Sequence, residues 1–258
     1  MPDSQLHFEL HGHTGPHVLL IHGFCETSAV WHPWAELLTN CRIITIDLPG
    51  FGRSPLPVAQ VSMEWVAEQV LDVVHKNQWK PVVVGHSLGG YVALAMAERA
   101  PDSLNGLMLF HSTPFPDSDE RKANRDKAMA FVGEHGVEAF TRGLIPNLFF
   151  KKALPAVEQA KEMAAATAPA TVLAYLAGMR NRADRSAIFK AFPQKKAILA
   201  GKNDSVVPME SLRPLAGVHP KAELFELENV GHMGMFEAPE ITARIVEAFA
   251  HNSPASVF

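Results

Sequence analysis

The chain has 258 residues, 47% of them hydrophobic and 19% charged, with a formal net charge of −4. That is enough apolar material for one sizeable core, and the slightly acidic balance excludes a nucleic-acid or anionic-membrane surface built on bulk charge. The start lacks a secretory-signal pattern, no apolar run approaches the ~20 residues of a spanning helix, and Cys25 and Cys41 offer no CxxC or disulfide framework, so a reduced, cytoplasmic setting is expected.

Leu6–Leu10 reads as a strand that should pair with the next, His17–Ile21, through the turn at Gly12-His-Thr-Gly15. A helix-like stretch near Trp31–Leu38 leads to a strand at Ile43–Asp47. Over Ser62–Lys76, the residues Trp65, Val66, Gln69, Val70, Val73 and Val74 form a mostly apolar face at helical spacing. The apolar run Val82–Gly85 then enters Gly85-His86-Ser87-Leu88-Gly89, followed by a strong helix former to Ala100. Strand, G-x-S-x-G, helix is the context in which this pentapeptide carries chemistry. Its glycines allow a sharp turn, and the serine projects from it at a helix N-terminus, where N–H groups favour developing negative charge. Leu104–Phe110 is the next strand. From Thr113 to about Arg185 the alternation stops. This segment predicts several short helices, with Pro155 and Pro169 as early helix residues. Met129, Phe131, Phe140, Leu144, Phe149, Phe150, Met163, Leu173, Leu176 and Met179 are expected to face inward. Its place between two sheet strands suggests a lid over their C-terminal edge, where open α/β sheets bind ligands. Strands at Lys196–Ala200 and Leu224–Leu227, a helix near Ile241–Ala250 and a fraying tail at His251–Phe258 complete the reading. The alternation predicts an α/β fold, a mostly parallel sheet flanked by helices.

A serine nucleophile needs a base, a group to orient that base, and donors for the oxyanion. His232, in Val230-Gly-His-Met-Gly234, is the candidate base, on a loop past the last strand. Asp204, directly after the strand at 197–200, is the candidate orienting acid, although Asn-Asp-Ser also suits an aspartate bonded to its own turn. The chain order Ser87, Asp204, His232 fits the elbow fold. The amides of Phe24 and Leu88 are the candidate oxyanion donors, and His22 is expected to brace its loop. Arg53 is expected to hold the Asp47 loop by an ion pair, and Cys25 to be a buried thiol. His7, His11, His13 and His17 cluster early, but no Cys or carboxylate pattern accompanies them and no metal site is expected. Trp31, Met129, Phe149, Tyr175 and Met233 are the candidate substrate contacts.

The motifs His22-Gly-Phe24, Asp47-Leu-Pro-Gly-Phe-Gly-Arg-Ser54, Gly85-His-Ser-Leu-Gly-Gly90, Gly201-Lys-Asn-Asp204 and Val230-Gly-His232 together resemble the α/β-hydrolase superfamily over the whole chain. The resemblance implies a core at 1–113 and 186–258 with a small helical cap, 114–185, inserted after the sixth strand. It also implies a serine hydrolase acting through Ser87, Asp204 and His232 on a small, apolar carboxylic ester, lactone or thioester, without a cofactor. A monomer or homodimer with a small-molecule partner is expected. His22-Gly-Phe-Cys-Glu-Thr and Trp31 resemble the oxyanion loops of epoxide hydrolases and dehalogenases. Those enzymes use an aspartate nucleophile where this chain has Ser87, and only Tyr175 is available as a cap tyrosine. Rival readings with the same triad are a carbon–carbon bond hydrolase, a perhydrolase, and a ligand-sensing or partner-binding protein on a hydrolase fold.

Overall fold

Three consecutive valines begin a fully buried strand. In the computed structural model, which describes residues 6–216 and 222–252, Val82–His86 has every residue buried, as expected for a central parallel strand covered on both faces. The strands in chain order are β1 (Phe8–His11), β2 (His17–Ile21), β3 (Arg42–Ile46), β4 (Val82–His86), β5 (Gly106–Phe110), β6 (Lys195–Gly201) and β7 (Ala222–Leu227). They form one sheet of order β1-β3-β2-β4-β5-β6-β7, parallel except for β1.

The expected pairing of the first strand with the second does not form. β1 runs antiparallel to β3, with Phe8 opposite Ile46, and β2 lies on the other side of β3. The turn between them explains why. Gly12 and Gly15 take positive φ, and a Cβ on either would lie 2.3 Å or less from the carbonyls of Cys41 and Asn40. The turn is thus folded over the chain entering β3, which fills the space between the two earlier strands. The short β1, with Glu9 and His11 among its residues, takes the edge.

The helices are α1 (His32–Ala35), α2 (Met63–Lys76), α3 (Leu88–Arg99), α4 (Asp119–Leu144), α5 (Ala156–Ala165), α6 (Pro169–Arg180), α7 (Ser186–Ala191), α8 (Met209–Leu212), α9 (Gly234–Glu237) and α10 (Pro239–His251). Ser62 caps α2 by accepting from the Trp65 amide, and Met63, Val66, Val70 and Val74 bury its apolar face. α2 packs on α3, α3 on α7, and α1 on α10. Trp34 Nε1 donates to Thr242 Oγ1 across the last contact at 2.8 Å. Among the described residues no helix is long and apolar enough to cross a membrane. The tail at 253–258 lies outside the described residues.

α4, α5 and α6 fall in the segment without strands. It follows β5, the fifth strand among the described residues. Pro155 caps α5 and Pro169 begins α6. α4 is broken at Gly136 (φ 80°, ψ 171°). Phe131 and Phe150, expected inward, are 42% and 46% exposed. Each sits beside a residue that took the inward place, Val132 and Phe149, which are buried.

Candidate active site

The carboxyl ends of the parallel strands carry the polar residues. Ser87 follows β4 at φ 49° and ψ −111°, a strained conformation for a residue with a side chain. Close packing enforces it. A Cβ at Gly85 would meet the Gly89 carbonyl at 2.3 Å, and one at Gly89 would meet the Ile21 carbonyl at 2.3 Å. The Ser87 amide donates to the Phe110 carbonyl at 3.1 Å, and Ser112 Oγ donates to the Ser87 carbonyl at 2.7 Å. Leu88 is the first residue of α3, so its N–H has no intrahelical acceptor.

Asp204 follows β6 and His232 lies beyond β7. Asp204 Oδ2 accepts from His232 Nδ1 at 2.8 Å. Its Oδ1 accepts from the amides of Val206 (2.8 Å) and Val207 (2.9 Å), so the turn-type bonding and the contact to histidine coexist on one carboxylate. Burial opposes ionisation of Asp204, but the charge of His232 and its hydrogen bond outweigh it and hold the carboxyl far below the usual range. The His232 amide donates to the Leu148 carbonyl at 2.7 Å, which ties this loop to the cap segment. Buried Glu237 reinforces the junction: its Oε1 accepts from the Phe150 and Lys151 amides and its Oε2 from the Gly231 amide, each at 2.8 Å.

Three neighbours of Ser87, Asp204 and His232 were not singled out by sequence reasoning. His111, directly after β5 and at φ 49°, has its Nδ1 3.3 Å from Asp204 Oδ2, and the Gly201 amide donates to the same nitrogen at 3.3 Å. Complete burial is the main cause that lowers its pKa to about 4. Glu26 and His86 form a buried pair, with His86 Nδ1 donating to Glu26 Oε2 at 3.0 Å. His86 Nε2 donates to the His232 carbonyl at 2.9 Å, and the Gly23 amide donates to Glu26 Oε2 at 2.6 Å. Both ring nitrogens of His86 therefore face acceptors. Burial would lower its pKa, but the Glu26 carboxylate and these hydrogen bonds raise it, favouring the imidazolium. The available signal was position: each of His22, Asp47, His111 and Asp204 closely follows a buried parallel strand.

Phe24, Glu26, His86, Ser87 and His232 form the floor of a cavity of about 390 Å³. Ala128, Phe140, Leu144, Leu148, Leu176 and Met179 from the cap supply its apolar wall, and Arg121, Asn124, Arg125 and Ser205 its polar part. Ser87, His232 and Phe24 are thus brought together, with Asp204 held behind His232. None of the five expected substrate contacts lines the cavity. Trp31 is fully buried among Trp34, Phe110 and His86. Met129 is one residue round α4 from the lining Ala128. Phe149 is buried beside Phe236, and Leu148 takes its place. Tyr175 is buried on Phe51, its hydroxyl donating to the Pro49 carbonyl at 2.9 Å, so it anchors α6 to the core. Met233 is buried at the start of α9.

The remaining expectations divide. His22 braces its loop, with Nδ1 2.8 Å from the Gly23 carbonyl and Nε2 accepting from the Leu48 amide at 3.0 Å. Arg53 holds Asp47 through its backbone amide (2.9 Å), while its guanidinium pairs with Glu9. Cys25 is buried and its thiol is pushed up by desolvation. Among the early histidines, His7 and His11 flank Glu9, which already carries the Arg53 guanidinium.

The family model for the alpha/beta hydrolase fold matches residues 16–239. A pimeloyl-[acyl-carrier protein] methyl ester esterase of Methylococcus capsulatus is 30% identical, over 93% of this chain and 96% of that protein. A 2-hydroxymuconate semialdehyde hydrolase of a Pseudomonas species is 28% identical, over 93% of this chain and 88% of its own length. Among solved structures, a thermophilic esterase from Thermogutta terrifontis superposes with a TM-score of 0.89 at 31% identity, covering 96% of this chain and 93% of that one.

Proposed function

The chain belongs to the alpha/beta hydrolase fold family, and on that footing we propose that it is a carboxylic ester hydrolase working through an acyl-enzyme on Ser87. The observation that carries the reading is the 2.8 Å contact of His232 Nδ1 with Asp204 Oδ2 behind a cavity that His232 shares with Ser87. In this reading His232 Nε2 takes the Ser87 proton as Oγ attacks the ester carbonyl. Asp204 fixes the tautomer and stabilises the imidazolium. The oxyanion that forms is held by the Phe24 and Leu88 amides, worth about 3–4 kcal/mol each in comparable sites. Collapse expels the alcohol, which receives the proton from His232. The same histidine then activates water to release the acid. The esterase relatives support the bond type.

The test is hydrolysis of a p-nitrophenyl alkanoate series by the wild type and Ser87→Ala. Chain-length-dependent turnover that vanishes in the variant supports the reading, and wild-type rates no higher than the variant's sink it. The 2-hydroxymuconate semialdehyde hydrolase relative gives a second reading, carbon–carbon hydrolysis by the same residues. Turnover of a vinylogous diketone with inertness to simple esters would favour it.

A further inference from the structure

A helix that faces an apolar cavity normally turns apolar residues inward. The N-terminal half of α4 does not. The cavity-lining residues there are Arg121, Asn124, Arg125 and Ala128, at the i, i+3, i+4, i+7 spacing of one helical face. Beyond the break at Gly136, the lining residues Phe140 and Leu144 are apolar in the ordinary way. We propose that the substrate ester carries a carboxylate remote from the scissile bond, received by Arg121 and Arg125 while its apolar chain lies against Phe140, Leu144 and Met179. This rests on the ester-hydrolase reading, because it names the occupant of the same cavity.

Two features of the arginines argue for an anion. Arg125 Nε donates to Asp117 Oδ2 at 2.9 Å, but Asp117 also pairs with buried Arg182 at 2.7 Å, so one carboxylate serves two guanidinium groups. Among the described residues Arg121 Nη2 donates only to a neutral acceptor, the Val206 carbonyl, at 2.5 Å. Each cavity-lining guanidinium uses one nitrogen in these bonds among the described residues, leaving further N–H donors and an excess of positive charge at this end. The floor carboxylate, Glu26, is already engaged by the His86 ring at 3.0 Å and by the Gly23 amide at 2.6 Å. The bonds to Asp117 and Val206 also hold the two side chains in place, lowering the entropy lost when a ligand docks. A planar carboxylate matches the guanidinium fork in shape. A wholly apolar substrate would strip water from these donors and leave them unpaired, so the rim also selects against neutral esters.

The experiment compares p-nitrophenyl monoesters of glutaric, adipic and pimelic acids with p-nitrophenyl alkanoates of equal acyl length. For the wild type, kcat/KM should favour the carboxylate-bearing ester at the best length by about tenfold or more, the range expected of charge-assisted hydrogen bonds. That selectivity ratio should fall towards one in Arg121→Gln and Arg125→Gln, through KM, and should shrink in 0.5 M salt (about a 4–5 Å Debye length). Arg142→Gln, an exposed cap arginine paired with Glu138, should leave the ratio unchanged. A binding arm is independent of turnover: adipate titrated calorimetrically into Ser87→Ala should bind, and should bind about tenfold more weakly to Ser87→Ala/Arg125→Lys. Equal or better use of the neutral esters by the wild type, or adipate binding indifferent to the Arg125 substitution, overturns the proposal while leaving ester hydrolysis intact. Ester turnover that survives Ser87→Ala overturns the ester-hydrolase reading instead, and the adipate titration still decides the anion site.

Discussion

The two walls of the cavity are built on different principles. The core wall consists of strand-end loops in which each polar group is held by more than one bond: Asp204 by two amides and His232, Glu26 by an amide and His86, Ser87 by Phe110 and Ser112. The cap wall consists of helices, and the longest of them, α4, is open at Gly133 and Gly143, where an added Cβ would meet no atom within 4 Å. The difference separates what must be placed to within a fraction of an ångström from what need only present a shape and a charge.

The largest effect should come from breaking the core wall at its orienting acid. Asp204→Asn leaves the fold standing but lets His232 take the wrong tautomer, and kcat on the best ester should fall about ten-thousandfold. A fall of less than tenfold would mean the carboxylate is only a turn residue. Glu26→Gln breaks the buried pair with His86 and weakens the acceptor of the Gly23 amide, and urea unfolding should show a loss of about 3–5 kcal/mol. A midpoint unmoved by this change would show that the core wall does not depend on its buried charges.

A smaller, pH-dependent effect is expected from His111. Its folded pKa of about 4 lies below the ordinary value of 6.5. The unfolded chain therefore binds the extra proton first as pH falls. The contribution of neutral His111 is fully present above pH 6.5 and is lost between there and pH 4, amounting to about 3 kcal/mol. Thermal melts from pH 7 to 4 should show this acid loss in the wild type and a shallower slope in His111→Asn. The smallest effect lies in the cap. Gly143→Ala should stabilise the protein by about 0.5–1 kcal/mol with unchanged esterase rates, as expected for an open helical site. Destabilisation there would mean that the cap is packed as tightly as the core.

Legibility in the sequence follows the same division. The meeting of Ser87, Asp204 and His232 was legible because a strained turn and a strand-end loop demand glycines at fixed offsets, and those are visible as motifs. The β1 pairing with β3 was not, because the contact of Gly12 and Gly15 with residues 40 and 41 is long-range and leaves no local mark. Glu26, His86 and His111 were missed because each reads alone as an ordinary loop polar residue, and only burial reveals its partner. The three cap residues among the expected substrate contacts, Met129, Phe149 and Tyr175, lie off the cavity lining for a geometric reason. Hydrophobicity says that a cap residue is inside, but one residue along a helix is a rotation of about 100°, enough to exchange cavity for core, as between Ala128 and Met129.

The break in α4 has a consequence for how such a cap can diverge. In an unbroken helix, inserting or deleting one residue turns everything beyond it by about 100° and would carry a lining face out of the cavity. At Gly136 the backbone has already left helical phase. The cationic half before it and the apolar half after it are therefore independent in register, and length changes at this point can be absorbed without rotating either. A lineage can exchange the recognition of one end of a substrate while inheriting the other end unaltered.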